Sequence, residues 1–199
     1  MVAQHFQNWE LIVVDDGSTD MTHEILAPYL HDGRVVSITQ PHRGQSSARN
    51  RALAAARGGI IAYLDSDNVA LPNFLTAVAA AFAAEPETDF MYGALLTRHH
   101  GDAGGALVFE PFNRDILLRQ NFIDLNTVAH RRTLFARYGG FDESLERLTD
   151  WDLALRYTAH LPARPLPVVA AQYRSRDSSR VSDLYPHEPA YQRVRGKWA

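Results

Sequence analysis

The stretch Asn8-Trp-Glu-Leu-Ile-Val-Val-Asp-Asp-Gly-Ser-Thr-Asp20 decides the fold class. Within it, residues 10–15 form a continuous apolar run closed by acids and then by Gly17, which is typical of a buried parallel strand. Residues 16–20 supply a turn and candidate N-caps for a helix that runs towards Tyr29. A buried strand followed at once by a helix is the repeating unit of an α/β protein.

The same alternation continues along the chain. Strands are predicted at 34–39 and 60–64, and helices at 46–57 and from Pro72 to about Glu85. This order predicts an α/β fold with a mostly parallel sheet, right-handed crossovers and helices on its faces.

The second half of the chain has a less regular pattern. It predicts a hairpin around 102–105, a helix at 149–160 and a strand at 166–174. Because no repeat or low-complexity linker interrupts the chain, we expect residues 1–199 to form one domain.

The composition excludes several classes of protein. The 199 residues contain 20 Lys and Arg against 23 Asp and Glu, giving a net charge of −3, and there is no cysteine. Disulfide frameworks, thiolate metal sites and cysteine nucleophiles are therefore excluded. The charge argues against a nucleic-acid partner. The apolar runs are shorter than the about 20 residues that span a bilayer, and no secretory signal is visible. We expect a cytoplasmic protein without a transmembrane segment, with peripheral attachment to a membrane left open.

Acidic residues follow two of the predicted strands. Asp15 and Asp16 end one strand, and Asp65 and Asp67 follow another. Ligands of open α/β sheets bind at the carboxyl ends of strands, and carboxylates there can hold a divalent cation. Either pair alone would favour the simpler interpretation, that it caps the helix that follows it. Two pairs at neighbouring strand ends favour a binding site.

Two known arrangements with acidic strand ends fit poorly. A phosphorelay receiver domain would need a lysine at a later strand end, and neither 89–94 nor 166–174 contains one. A phosphatase of the haloacid dehalogenase type would continue its Asp-x-Asp with Gly-Thr, where this chain has Asn68-Val69. Both also leave the second half of the chain unexplained.

A third arrangement accounts for both halves. Together with residues 8–20, four further motifs resemble the family-2 glycosyltransferases of the A-type fold in order and spacing. These are Gly44-Gln-Ser-Ser-Ala-Arg-Asn50, Ile61-Ala-Tyr-Leu-Asp-Ser-Asp-Asn68, Gly139-Gly-Phe-Asp-Glu143 and Thr149-Asp-Trp-Asp-Leu153. The resemblance implies a nucleotide-sugar-binding half at 1–95, an acceptor and catalytic half at 96–182, and a tail at 183–199.

The resemblance also implies roles for the acidic residues of the first half. Asp15 and Asp16 would bind the nucleotide-sugar donor, with Asp16 on the base or ribose. Asp65 would contact the ribose or water around the metal. Asp67 would ligate Mg²⁺ or Mn²⁺ on the diphosphate, and Arg49 would lie near the nucleotide.

The late acidic motif would supply the catalytic base. The family's usual Glu-Asp pair is here Thr149-Asp150, so the resemblance makes Asp150 the base that accepts the proton of the acceptor hydroxyl. Arg176 lies near the place where family members often carry a histidine, which suggests contact with the diphosphate. Together these residues imply metal-assisted, inverting transfer of a sugar to a hydroxyl of a glycan, lipid carrier or protein.

The start of the chain departs from the family. Members normally open with a strand and a helix, and residues 1–8 match only the end of that helix. The missing strand would lie between the strands at 10–15 and 60–64. Either these strands close on each other, or a partner chain or a missing N-terminal segment completes the sheet. We expect the 199-residue chain to be a fragment and a poor catalyst, and the alternative function is a truncated, non-catalytic member that binds only a nucleotide or a partner.

Overall fold

A computed structural model of the chain describes residues 1–98, 105–174 and 186–198. It begins with a parallel pair of strands, β1 (Leu11–Asp15) and β2 (Val35–Thr39). They are connected by α1 (Thr22–Leu26), which passes into a 3₁₀ turn at Ala27–His31. Pro28 lies in the first turn of that segment, and α1 ends at Leu26, before it reaches Tyr29.

The other strands form a separate six-stranded sheet. They are β3 (Ile60–Ala62), β4 (Val69–Ala70), β5 (Phe90–Arg98), β6 (Ala106–Val108), β7 (Val128–Arg131) and β8 (Arg164–Arg174). Their order is β3-β7-β5-β8-β4, with β6 paired to β5. The α/β fold class is confirmed.

This larger sheet is more mixed than the sequence indicated. Only β5 and β8 pair in parallel, while β7 lies between β3 and β5 and is antiparallel to both. The chain enters β7 directly from a short 3₁₀ turn at Leu125–Thr127. An antiparallel strand needs no helical crossover, so the helix-strand rhythm of the first half did not predict β7.

Helices cover both faces of the larger sheet. They are α2 (Gln45–Ala55), α3 (Phe74–Ala84), α4 (Arg114–Leu117), α5 (Arg132–Tyr138), α6 (Thr149–Tyr157) and α7 (His187–Trp198). Met91 packs in the core beneath α3, whereas Phe90 and Tyr92 pack in the core that contains α6. Successive residues of a strand point to opposite faces, so β5 contributes to both cores.

Some sequence predictions fall on residues that are not described. β5 and β6 pair antiparallel on either side of the predicted hairpin, but its residues 102–104 lie outside the described ranges. Arg176 lies outside them as well. No helix within the described ranges is both long and apolar enough to cross a bilayer, and the cytoplasmic location stays a prediction.

A gap separates the two sheets. Consecutive residues at 11–14 and at 60–64 line the same cavity of 1430 Å³. Side chains alternate along a strand, so consecutive lining residues mean that the strand edges themselves face the cavity. β1 pairs with β2 and β3 pairs with β7, and no other strand of the described chain pairs with either. Direct closure of β1 on β3, one of the three expected outcomes, is therefore wrong.

Candidate functional site

The large cavity brings together most of the residues that the motifs singled out. Asp16, Arg49, Asp65 and Asp67 all line it. Asp15 is instead buried below the turn, where its Oδ1 accepts a hydrogen bond from the Ser18 N–H at 2.9 Å. Adjacent strand residues point to opposite sides, so Asp15 and Asp16 do not face the same cavity. We therefore do not propose direct donor contact for Asp15.

Asp16 connects the end of β1 to the loop before α2. It accepts hydrogen bonds from the Gln40 side chain at 2.7 Å and from the N–H groups of Arg43 and Gly44 at 2.9 and 2.8 Å. Burial acts to raise the pKa of Asp16, but these donors outweigh it and hold the pKa below its usual value. Gly44 has φ 89°, which favours glycine at this position. Asp16 is thus ionised and fixed at the cavity wall.

Asp65 is held from two sides. Its Oδ1 accepts a hydrogen bond from Arg49 Nη2 at 2.6 Å, and its Oδ2 accepts one from Asn126 Nδ2 at 3.2 Å. The Asp65 N–H donates to Asn126 Oδ1 at 2.7 Å. The buried Asn126 was missed in the sequence, because nothing in its local pattern distinguishes it from an ordinary turn residue. Its position directly before a buried strand is the one signal that could have drawn attention to it.

Asp67 is exposed and lines the cavity two residues beyond Asp65. Within residues 1–98, 105–174 and 186–198, no three His, Asp or Glu side chains form a cluster that could hold a metal by themselves. Mg²⁺ is often held by one or two carboxylates together with substrate phosphates. A single accessible carboxylate oxygen donor at the cavity wall fits that mode of binding.

A smaller cavity of 190 Å³ adjoins the first. It is lined by Asp150 and Arg147 from one side, and by Arg49, Asp65 and Asp124 from the other. The last three residues also line the large cavity. Asp150 of the late motif therefore lines a cavity that borders the one lined by the residues of the early motifs.

The surroundings of Asp150 alter its protonation. Burial raises the pKa of Asp150 to about 6, and the nearby charge of Asp124 adds to the rise. The N–H of Trp151 and the charge of Arg49 act in the opposite direction. A carboxyl group with this pKa is mostly ionised at neutral pH and is a better proton acceptor than an ordinary aspartate.

The backbone around Asp150 is held by unusual geometry. Leu148, directly before α6, has φ 59° and is the one non-glycine residue with positive φ in the described part of the chain. Such a conformation costs on the order of 1 kcal/mol or more and persists only where the surrounding packing imposes it. Leu148 and Thr149 both line the smaller cavity. The strained turn thus sets where α6 starts and where Asp150 projects.

Two of the sequence motifs contact each other behind the site. Asn50 Oδ1 accepts a hydrogen bond from the Phe141 N–H at 2.7 Å, and Asn50 Nδ2 donates to the Phe141 carbonyl at 2.9 Å. An ideal Cβ on Gly140 would lie 2.1 Å from Asn50 Oδ1, so a larger residue there would displace the Asn50 side chain. This contact joins α2, which carries Arg49, to the segment that leads to α6.

Asp152 belongs to the same motif as Asp150, but its carboxylate connects two helices. Its carboxylate is buried and forms ion pairs with Arg156 at 2.6 Å and with Lys197 at 3.0 Å. Trp198 Nε1 also donates to it at 3.2 Å. These bonds attach α7 to α6, on which Asp150 lies.

The comparisons with known proteins agree with this geometry. Residues 1–135 match the family described as Glycosyl transferase family 2. The PGL/p-HBAD biosynthesis glycosyltransferase of Mycobacterium tuberculosis is 31% identical over 172 residues, which cover 83% of this chain and 65% of that protein. The chondroitin synthase of Escherichia coli is 31% identical over 158 residues, covering 77% of this chain and 23% of that protein. The chain thus spans less than two thirds of either relative.

Solved structures with the same fold include two nucleotide-sugar complexes. TarS 1-349 of S. aureus, in complex with UDP-GlcNAc, superposes with a TM-score of 0.78 at 22% identity and covers 96% of this chain and 57% of that one. The mannosyltransferase PcManGT from Pyrobaculum calidifontis, in complex with GDP-Man and Mn²⁺, gives a TM-score of 0.64 at 21% identity over 86% of this chain and 50% of that one. At these identities the likeness concerns the fold.

Proposed function

Because the chain belongs to glycosyl transferase family 2, we propose that it transfers a sugar from a nucleoside-diphosphate sugar to a hydroxyl acceptor, with metal assistance and inversion. One observation carries this proposal. The large cavity with Asp67 and the small cavity with Asp150 share four lining residues, Gln45, Arg49, Asp65 and Asp124. A donor in the first cavity would therefore present its sugar to an acceptor in the second.

The donor end of the site suits a nucleoside diphosphate. Asp16 and Asp65 are fixed carboxylates that can accept hydrogen bonds from the base or the ribose hydroxyls. Arg49 is ion-paired with Asp65 and lines both cavities, where a cation favours the diphosphate. Asp67 would hold Mg²⁺ or Mn²⁺, which would offset the charge that develops on the leaving diphosphate.

The acceptor end of the site suits a general base. Inversion needs a carboxylate that takes the acceptor proton on the face opposite the leaving group. Asp150 lines the smaller cavity and is ionised at neutral pH, since its pKa is about 6. The acceptor hydroxyl would lose its proton to Asp150 as its oxygen attacks the anomeric carbon and the nucleoside diphosphate leaves.

The test is release of nucleoside diphosphate from a panel of UDP- and GDP-sugars, with and without Mn²⁺ and with simple sugar acceptors. We expect release that depends on the metal and a product of inverted anomeric configuration by NMR. Nucleotide binding without release from any donor would favour the non-catalytic alternative. A product of retained configuration would contradict the role of Asp150 as a base.

We further propose that a strand from outside these 199 residues, in the same or another polypeptide, pairs between β1 and β3. The edges of both strands face the large cavity at 11–14 and 60–62. An added strand would supply hydrogen-bond partners for these edges, which obtain none from another strand of the described chain. In the chain alone, the edge amides of β1 and β3 should exchange with solvent far faster than those of β5. Slow exchange at both edges in a monomer would contradict the proposal.

A further inference from the structure

Asn121 contacts the proposed base from a loop that no sequence motif includes. Asn121 Nδ2 donates to Asp150 Oδ2 at 2.9 Å, across 29 residues of sequence. Asn121 lies just after α4 and only three residues before Asp124. The contact joins two segments that pack into the same core, through Ile123 and Trp151.

A second bond fixes the orientation of the Asn121 amide. Asn121 Oδ1 accepts a hydrogen bond from the Ile123 N–H at 3.1 Å. The amide nitrogen of Asn121 cannot accept a hydrogen bond from the Ile123 N–H, because it is itself a donor. The carbonyl oxygen must therefore face Ile123 and the NH₂ group must face Asp150. The bond to Ile123 therefore fixes the amide as a donor to the Asp150 carboxylate.

This donor has two effects on Asp150. It restrains one carboxylate oxygen, which fixes the rotation of the group at the wall of the smaller cavity. It also favours the ionised form, because a carboxylate accepts a hydrogen bond from an amide more strongly than a carboxylic acid does. The other charged groups around this cavity are Asp65, Asp124, Arg49 and Arg147.

We infer that Asn121 is a positioning residue for the transfer reaction, and that its amide orients the Asp150 carboxylate towards the acceptor hydroxyl. The inference rests on the proposed function for its catalytic meaning. The contact itself rests on the two hydrogen bonds of the Asn121 amide.

The direct test is a ¹³C NMR titration of the aspartate carboxyl groups, with the Asp150 signal assigned by its loss in Asp150→Asn. Asn121→Asp keeps the shape of the side chain but removes the donor and adds a like charge, and Asn121→Ala removes both bonds. We expect the apparent pKa of Asp150 to rise by about one unit in Asn121→Ala and further in Asn121→Asp. An unchanged titration in both variants would overturn the inference.

Kinetics then test the catalytic meaning. Removal of a positioning contact should lower kcat about tenfold or more and shift the acid limb of the pH profile upward, with the donor KM unchanged. Asn113→Ala is the matched control, because Asn113 makes the same kind of bond to a nearby N–H, that of Ile116 at 3.1 Å, away from Asp150. If the Asp150 titration shifts in the variants but the wild type transfers no sugar, the contact between Asn121 and Asp150 is supported and only the proposed function is overturned. A normal kcat with a shifted titration would overturn the positioning role.

Discussion

The side chain of Asn126 holds Asp65 by its backbone and by its carboxylate at once. Asn126 Oδ1 accepts the Asp65 N–H at 2.7 Å, while Asn126 Nδ2 donates to Asp65 Oδ2 at 3.2 Å. The same NH₂ group donates to Asp124 Oδ1 at 2.9 Å. One buried amide thus sets the spacing of two carboxylates that line both cavities.

Asn126→Ala should weaken donor binding. It removes the acceptor of the Asp65 N–H and one donor from each of Asp65 and Asp124, at a cost of about 1 to 3 kcal/mol. We expect UDP or GDP to bind about tenfold more weakly by calorimetry in the presence of Mn²⁺. Asn73→Ala is the control, since Asn73 is exposed and its side chain makes no capping bond. Equal affinity in the wild type and Asn126→Ala would show that the orientation of Asp65 is unimportant for the donor.

Asp67→Ala should abolish the metal dependence of donor binding. The substitution removes the proposed metal ligand and leaves the diphosphate charge uncompensated. Calorimetry with UDP and Mn²⁺ should show no gain in affinity from the metal. Asp20→Ala, in the neighbouring turn, removes an exposed carboxylate that bonds to Thr22 and should retain the gain. A metal-dependent gain that survives in Asp67→Ala would rule out Asp67 as the ligand.

Asp150→Asn should stabilise the protein in a pH-dependent way. The folded pKa of Asp150 is raised from 3.8 to about 6, so its ionisation costs stability as the pH rises through this interval. The amide carries no charge and avoids a cost on the order of 1 to 3 kcal/mol at pH 7. Urea unfolding should show the variant to be more stable than the wild type at pH 7, with the difference much reduced at pH 4. A difference that is equal at both pH values would contradict a raised pKa.

Gly140→Ala should destabilise the fold. Its Cβ would lie 2.1 Å from Asn50 Oδ1, so Asn50 would have to leave the Phe141 backbone groups that it binds. We expect a loss of about 2 kcal/mol or more in the free energy of unfolding. Gly33→Ala is the matched control because a Cβ at Gly33 would meet no atom within 4 Å. Equal stability of the two variants would mean that the Asn50 contact is dispensable.

The first half of the fold could be predicted because its signals are local. The apolar run before Asp16 predicts the first strand and its end. The acids after the strand at 60–64 predict the end of that strand and part of the binding site. The placement of Asp65 and Asp67 at the cavity followed from the end of a predicted strand, and that of Arg49 followed from the resemblance to the family. Since side chains alternate along a strand, the sequence could also have predicted that only one of Asp15 and Asp16 faces the cavity.

The rest of the site depends on contacts between distant segments. Asn121 reaches Asp150 across 29 residues and Asn126 reaches Asp65 across 61 residues, and neither lies in an α-helix or a strand. The antiparallel pairing of β7 with β3 and β5 likewise depends on the short loop that leads into β7. It does not depend on the hydrophobic pattern within the strand. Such relationships follow from tertiary packing, which the pattern of one segment does not encode.

Asp150 is proposed to act on the acceptor and not on the donor. The most direct measurement compares Asp150→Asn with the wild type in two ways: donor-dependent release of nucleoside diphosphate, and calorimetric binding of the same nucleotide with Mn²⁺. We predict that the wild type releases nucleoside diphosphate, slowly while the edges of β1 and β3 lack a partner. Asp150→Asn should bind the nucleotide within about twofold of the wild type but lose at least a hundredfold in turnover. Release that persists in Asp150→Asn, or equal loss of binding and turnover, would contradict the account.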